Sequence, residues 1–129
     1  MDKEIFFSSL DVAVLIPCYN EEATITKVIN DFRLAIPSAL IYVYDNSSTD
    51  KTAEIATKAG AIVRTEPSKG KGNVIRRMFA DIESDIYIMV DGDDTYEASK
   101  SQKMVTQLVQ KDLDMIVGNE LSMQRRINL

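Results

Sequence analysis

Short apolar runs alternate along this chain with stretches in which apolar residues recur every three or four positions. The runs are Val12–Ile16, Leu40–Tyr44, Ala61–Thr65, Ile86–Val90 and Leu113–Val117. Continuous apolar runs of this length are typical of strands that are buried on both faces, as in parallel sheets. The pattern therefore predicts five short strands.

The segments between these runs have helical periodicity. Asn20 is expected to cap the first helix, with Glu21 and Glu22 in its first turn, and Pro37 ends its pattern. Gly60 is a natural stop for the second helix. The apolar positions that indicate the helices include Ile25, Val28, Ile29, Phe32, Val74, Ile75, Met78, Met104, Val105 and Leu108. The resulting order, βαβαβαβαβ, predicts a single α/β domain with helices on both faces of a parallel sheet.

Polar clusters follow three of the predicted strands directly. They are Pro17–Glu22, Asp45–Ser48 and Asp91–Asp94. Ligands of doubly wound sheets bind beyond the carboxyl ends of the strands, so we expect the clusters to share one edge. Tyr19 is either a stacking platform or a strand-end aromatic, and Cys18 is expected to be a small buried apolar residue.

Three carboxylates, Asp91, Asp93 and Asp94, lie within four residues of one another after the fourth strand. Like charges this close are unfavourable unless a cation or solvent screens them. One interpretation is a magnesium or manganese site in which Gly92 allows close backbone approach. The other is a solvated acidic turn that caps the next helix.

The segment Lys69–Gly72 opens the predicted third helix with lysines and glycines. Cationic side chains and free N–H groups at a helix N-terminus can bind an anion, but a solvated basic loop has the same pattern. Asp45 follows the second strand, where its carboxylate could accept hydrogen bonds from a ribose or a base. Asp50 is expected to cap the second helix.

The amino-acid composition excludes several kinds of catalytic site and metal site. The 129 residues include no histidine and one cysteine, which excludes a Ser-His-Asp triad, histidine metal ligands and a cysteine-rich zinc site. A metal site would then use oxygen ligands, which suits Mg²⁺ or Mn²⁺. The net charge of −5, without a basic stripe, argues against general nucleic-acid binding.

The sequence contains no segment that approaches the roughly 20 apolar residues of a transmembrane helix. Its first residues carry acids and lack the long apolar core of a signal peptide. The expected location is therefore the cytoplasm.

Together the motifs resemble those of family 2 glycosyltransferases, most closely the polyprenyl-phosphate sugar transferases of the dolichyl-phosphate mannose synthase type. The resemblance spans about residues 11–119. It is carried by Ile16–Glu22, Val43–Thr52, Lys69–Asn73 and Val90–Tyr96, in the order and spacing of that family.

The resemblance implies a Rossmann-like GT-A fold (three α/β/α layers with a mostly parallel sheet), a nucleotide-diphosphate-sugar donor, a divalent metal and inverting transfer, with a polyprenyl phosphate as one acceptor. A lipid acceptor would place the protein at the cytoplasmic face of a membrane. Asp91 and Asp93 match the family's DxD pair and would bind the metal, and Asp93 and Asp94 are the candidate catalytic carboxylates, Asp94 as a general base. The residues implied to bind the nucleotide are Pro17, Tyr19, Glu21, Asp45, Lys71, Asp91 and Gly92.

Family domains continue well beyond a fifth strand, so residues 1–129 are expected to be the donor-binding part without the acceptor half, and to transfer sugar weakly or not at all. Two alternatives remain. Val90–Thr95 fits the DxDx[TV] signature of haloacid-dehalogenase-type phosphatases, with Asp91 as nucleophile and Asp93 as acid/base. The second alternative is a non-catalytic nucleotide-binding module that self-associates through an open sheet edge.

Overall fold

The computed structural model of the protein describes residues 10–117 and 121–125. Strands and helices alternate over most of this range, as the sequence predicts. The strands are β1 (Val12–Cys18), β2 (Leu40–Asp45), β3 (Ile62–Thr65), β4 (Ile86–Val90), β5 (Met115–Val117) and β6 (Leu121–Arg125). The helices are α1 (Ile25–Ala35), α2 (Thr52–Lys58), α3 (Lys71–Asp81) and α4 (Ser101–Gln110), and a short 3-10 turn, Ala98–Lys100, precedes α4.

The described strands form one mixed sheet in the order β3-β2-β1-β4-β6-β5. The first four strands are parallel, with β1 at the centre between β2 and β4. Pro17 lies within β1 but beyond the end of its pairing with β4, which stops at Leu15, so its missing N–H interrupts no bond in that ladder. This is the α/β architecture that the sequence predicts.

The far end of the sheet departs from the predicted parallel order. An additional strand, β6, inserts antiparallel between β4 and β5, so β5 lies at the edge and does not pair with β4. In β6, Leu121 and Met123 are buried, whereas Ser122 and Gln124 are only half-buried. This alternation is typical of a strand in an antiparallel pair, and it lacks the continuous apolar run that marks the other strands.

Two apolar layers enclose the sheet. Helices α1, α2 and α4 pack on one face, where alternate residues of β1 such as Val14 and Ile16 are fully buried. Helix α3 packs on the other face, where Met78 meets Leu15 and Tyr44. Helices therefore lie on both faces, as predicted. None of the helices in the described part of the chain has the length and apolar content needed to cross a bilayer.

A buried tyrosine ties α3 to the sheet. Tyr44, which is fully buried in β2, donates a hydrogen bond of 2.8 Å to Oδ2 of Asp81 at the end of α3. Burial and then this hydrogen bond raise the pKa of Tyr44 to about 12, so the phenol stays protonated and able to donate. The same bond is the largest cause that lowers the pKa of Asp81, which Arg77 also contacts at 2.9 Å.

Replacing Tyr44 with phenylalanine should lower the free energy of unfolding by about 1–2 kcal/mol, because the ring is kept while a hydrogen bond to a carboxylate is lost. Chemical denaturation at pH 7 measures the change. Tyr42→Phe is the matched control, since the Tyr42 hydroxyl lies on the same strand and makes no hydrogen bond to any described residue. Equal stabilities for the two variants would contradict the role given to the Tyr44–Asp81 bond.

Candidate functional site

The loops that follow β1, β2, β3 and β4 meet at one edge of the sheet, because those strands are parallel. Between them lies an open cavity of about 570 Å³. Its lining combines acidic side chains, two lysines, a tyrosine and exposed backbone. The lining residues are Pro17, Cys18, Tyr19, Glu21, Asn46, Lys69, Gly70, Lys71, Val74, Asp91 and Asp93.

The loop after β1 is tied to the turn after β2. Asn20 has a left-handed backbone (φ 53°), and its Oδ1 accepts the N–H groups of Thr49 at 2.9 Å and Asp50 at 3.3 Å. The predicted capping role of Asn20 is therefore wrong, since α1 begins at Ile25 with Thr24 at its N-cap. The side-chain oxygen of Asn20 instead accepts hydrogen bonds from the turn after β2, about 30 residues away along the chain. The local sequence pattern does not reveal such a contact.

The turn after β2 is held by its own aspartates. Asp45 is 5% exposed, and its carboxylate accepts hydrogen bonds from the hydroxyl and the N–H of Ser48. The N-cap of α2 is Lys51, one residue after the predicted cap Asp50, although the Asp50 carboxylate accepts the N–H of Thr52, the first residue of α2, at 2.9 Å. Asp45 does not line the cavity, so a contact between Asp45 and a nucleoside stays a prediction from the resemblance.

Asn46, for which the sequence predicts no individual role, lines the cavity and connects two loops. Its Nδ2 donates to the carbonyl oxygens of Glu66 and Ser68, both at 2.9 Å, and its Oδ1 accepts the N–H of Gly70 at 3.0 Å. The only sequence signal for this role is its place directly after a buried strand, at the edge where the other polar clusters meet. Its partners lie 20 to 24 residues away along the chain.

The loop after β4 carries the aspartates of the DxD motif. Asp91 forms an ion pair with Lys71 of α3, in which Nζ lies 2.6 Å from Oδ1. Asp93 accepts hydrogen bonds from the N–H and the hydroxyl of Thr95, which shape the loop around it. The carbonyl of Gly92 accepts the hydroxyl of Thr24 at 2.6 Å, so this loop is also tied to the start of α1.

Gly92 is required by close packing. A Cβ built at this position would lie 2.7 Å from Sγ of Cys18 and 3.4 Å from Cγ of Glu21, and the first distance is shorter than real side chains tolerate. The loop after β4 can therefore approach the end of β1 only because residue 92 has no side chain. The sequence predicts close backbone approach at Gly92 within a metal site; the structure shows a close approach to the end of β1, and an approach to a bound ligand stays a prediction.

Negative charge accumulates on one side of the cavity. Burial, then the charges of Asp93 and Asp91, raise the pKa of Glu21, which places these three carboxylates within electrostatic reach of one another. Among the residues described, no three acidic or cysteine side chains lie close enough together to hold a metal ion by themselves. Carboxylate oxygens in a charged, open site fit Mg²⁺ or Mn²⁺, which commonly take their remaining ligands from water and substrate phosphates.

Asp94, a predicted catalytic residue, does not line this cavity. Asp94 has a left-handed backbone (φ 64°) and forms an ion pair with Lys27 of α1 at 2.9 Å. It lines a different cavity, on the α1 side of the acidic loop, so it does not face the space between the DxD aspartates and the lysines. Its role as a general base stays a prediction.

Cys18, the last residue of β1, and Tyr19, which follows it, lie in different environments. Tyr19 is 49% exposed and lines the cavity, where its ring is available to a planar ligand. Cys18 is buried, and its burial followed by the charges of Glu21 and Asp45 raises the pKa of its thiol. A thiol that stays protonated is a poor nucleophile, which agrees with the prediction of a small buried apolar residue.

Comparison with known proteins connects this geometry with a family. The chain is 59% identical over 112 residues to protein RfbJ of Shigella flexneri, and the match covers 87% of each chain. It spans 27% to 49% of the length of several other curated relatives. The match to a family model described as "Glycosyl transferase family 2" covers residues 13–122.

Solved structures give the same fold. Glucosyl-3-phosphoglycerate synthase of Mycobacterium tuberculosis, solved with Mn²⁺, UDP-glucose and phosphoglyceric acid, matches with a TM-score of 0.61 and 29% identity, over 70% of this chain and 36% of that one. A mannosyltransferase of Pyrobaculum calidifontis, solved with GDP-mannose and Mn²⁺, has a TM-score of 0.80 and 18% identity, over 91% and 45%. At that identity the second match shows the GT-A fold alone.

The family match includes every loop that lines the cavity. It covers the motifs after β1 and β2, which a phosphatase centred on Asp91 leaves unexplained, and so gives that alternative no support. The sheet, the acidic DxD loop and the lysines that line the same cavity agree with the same assignment. The chain belongs to glycosyltransferase family 2.

Proposed function

We propose that this chain binds the nucleotide-diphosphate-sugar donor of a glycosyltransferase in the cavity at the carboxyl ends of β1, β2 and β4. One observation carries the proposal: a single cavity is lined by two carboxylates, Asp91 and Asp93, and by two lysines, Lys69 and Lys71. A nucleoside diphosphate with a divalent cation has matching chemistry, since carboxylates attract the cation and lysines attract the phosphates.

Asp91 and Asp93 would hold the cation, in agreement with the DxD motif. When bound, a divalent cation offsets the negative charge that develops on a departing diphosphate. Lys71 adds positive charge beside Asp91 and, before a ligand binds, neutralises it through their 2.6 Å ion pair. Tyr19, half-exposed beside Pro17, offers a face on which a base can stack.

The acceptor and the stereochemistry are proposed from the resemblance alone. Inverting transfer to a polyprenyl phosphate would suit this site, because a phosphate acceptor is already anionic and needs no base to remove a proton. No histidine is available to act as such a base, since the sequence contains none. Residues 1–129 are proposed to bind donor with weak transfer, or none.

Calorimetric titration with UDP and GDP, each with and without Mn²⁺, tests the proposed donor site. We expect one nucleotide to bind in the presence of Mn²⁺, and to bind at least tenfold more weakly without it, since the cation screens the diphosphate from Asp91 and Asp93. The nucleotide that binds more tightly identifies the nucleobase of the donor, uracil or guanine. A folded protein that binds neither nucleotide under any of these conditions would contradict the proposal.

A further inference from the structure

The lysine-bearing loop between β3 and α3, which comprises residues 66–70, has little apolar packing to hold it in place. Every residue from Pro67 to Gly72 is exposed. Gly70 has a positive φ of 124° at the N-cap of α3, and no side chain caps that helix end. Lys71 begins α3, which Val74 and Met78 anchor on the sheet, so polar contacts must set the position of Lys69 and the path of the loop into Lys71.

The side chain of Asn46 makes the most complete set of these contacts. Its two N–H groups reach the carbonyls of Glu66 and Ser68, and its oxygen receives the N–H of Gly70, all at 2.9–3.0 Å. Asn46 is itself 8% exposed, and its backbone N–H donates to the carbonyl of Cys18 at 2.8 Å. One buried amide thus connects the lysine loop to the central strand of the sheet.

Other contacts hold only the two ends of the loop or are weaker. The N–H of Glu66 donates to the carbonyl of Asp45 at 2.9 Å, and Nδ2 of Asn73 donates to the carbonyl of Lys69 at 3.1 Å. The hydroxyl of Ser47 lies 3.4 Å from the carbonyl of Glu66 and 3.5 Å from that of Pro67, which is at the limit of hydrogen bonding. The Lys71–Asp91 ion pair is largely exposed, and exposed pairs contribute little to stability. It also engages a carboxylate that the proposed cation would use.

We propose that Asn46 is a positioning residue: its amide holds residues 66–70 so that Lys71 faces the diphosphate part of the cavity. The inference rests on the proposed donor site and goes beyond it, because Asn46 acts through the loop and not through contact with the reacting atoms. Only an amide fits, because the two carbonyls and the N–H of the loop require two donors and one acceptor from the side chain. An aspartate of the same shape would turn an oxygen toward two carbonyls.

Two variants test the inference by calorimetric titration with the nucleotide that the wild type binds. Asn46→Ala removes all three bonds, and Asn46→Asp keeps the acceptor while it removes both donors. Each should weaken nucleotide binding by about tenfold, which corresponds to about 1.4 kcal/mol. The matched control is Asn30→Ala on the exposed side of α1, where the amide contacts only Arg33 among the described residues, and it should bind as the wild type does.

A double-mutant cycle separates positioning from a general structural effect. If Asn46 acts by presenting Lys71, the Asn46→Ala change should weaken binding much less in a Lys71→Ala background than in the wild type. Hydrogen exchange provides a readout without nucleotide. The amide of Gly70 should exchange faster in Asn46→Ala, because its acceptor is the side chain that is lost.

The outcomes distinguish the inference from the proposal on which it rests. If the wild type binds nucleotide and both Asn46 variants bind equally well, the positioning role is overturned while the donor site stands. Equal losses in the Lys71→Ala and wild-type backgrounds would overturn the route through Lys71. If the folded wild type binds no nucleotide, the donor site and the role of Asn46 in binding both fail, and Gly70 exchange then reports only whether the amide orders the loop.

Discussion

Replacing Asp93 with asparagine should abolish the dependence of nucleotide binding on Mn²⁺. The substitution keeps the shape of the side chain and the Oδ1 acceptor used by Thr95, so the loop after β4 should keep its conformation. What is lost is the negative charge that a hard cation requires. Changes around metal ligands cost 10- to 100-fold in metal affinity, so loss of a ligand charge should cost about 100-fold or more.

Calorimetric titration with Mn²⁺ in the presence of the nucleotide measures this effect. Glu54→Gln is the matched control, because Glu54 is an exposed acid on α2 that pairs with Lys58 outside the cavity. It should leave the metal dependence unchanged, and both variants should unfold at nearly the wild-type temperature. An Asp93→Asn protein that retains full enhancement by Mn²⁺ would remove Asp93 from the metal site.

Gly92→Ala should disturb both the fold and the site. The new Cβ would lie 2.7 Å from Sγ of Cys18, and a sulfur atom at the buried end of the central strand has little room to move. Overpacking of this kind typically costs about 1–3 kcal/mol. Relief requires the loop after β4 to shift, which displaces Asp91 and Asp93 and should weaken Mn²⁺-dependent nucleotide binding as well.

Thermal unfolding and the titration described above measure the two effects of Gly92→Ala. Gly72→Ala is the control, since a Cβ at Gly72 meets nothing within 4 Å and the residue lies in the first turn of α3. Alanine there should leave stability unchanged or slightly higher, because glycine costs more entropy in a helix. Similar stabilities for the two variants would show that the contact with Cys18 is not limiting.

The parts of the fold that sequence predicts well are those with strong local signals. The strands β1 and β4 and most of β2 are apolar because they are buried in the sheet, and each contains one of the predicted runs. The sequence does not predict β6, because this strand alternates apolar with polar residues and its pairing with β4 depends on distant contacts. The formation of β6 between β4 and β5 is thus determined by tertiary contacts more than by the strand propensity of its residues.

The candidate site also contains residues with strong local signals and residues whose role depends on distant contacts. Asp91, Gly92 and Asp93 lie together in a short motif, and their place beside the cavity follows from the end of β4. Local pattern predicts a helix cap at Asn20 and no role for Asn46, because both amides bond to backbone that is distant in sequence. An asparagine has the same local appearance whether it caps a helix or joins two loops, so only the folded chain distinguishes the roles.

The ties between the loops have a consequence for folding. Asn20 joins positions about 30 residues apart, and Thr24 joins the first loop to Gly92 across 68 residues. Contacts of such separation form late, after most of the loop-closure entropy has been lost. The cavity can therefore exist only when β1, β2, β3 and β4 are all assembled, and nucleotide affinity would serve as a stringent reporter of complete folding, more sensitive than helix content measured by circular dichroism.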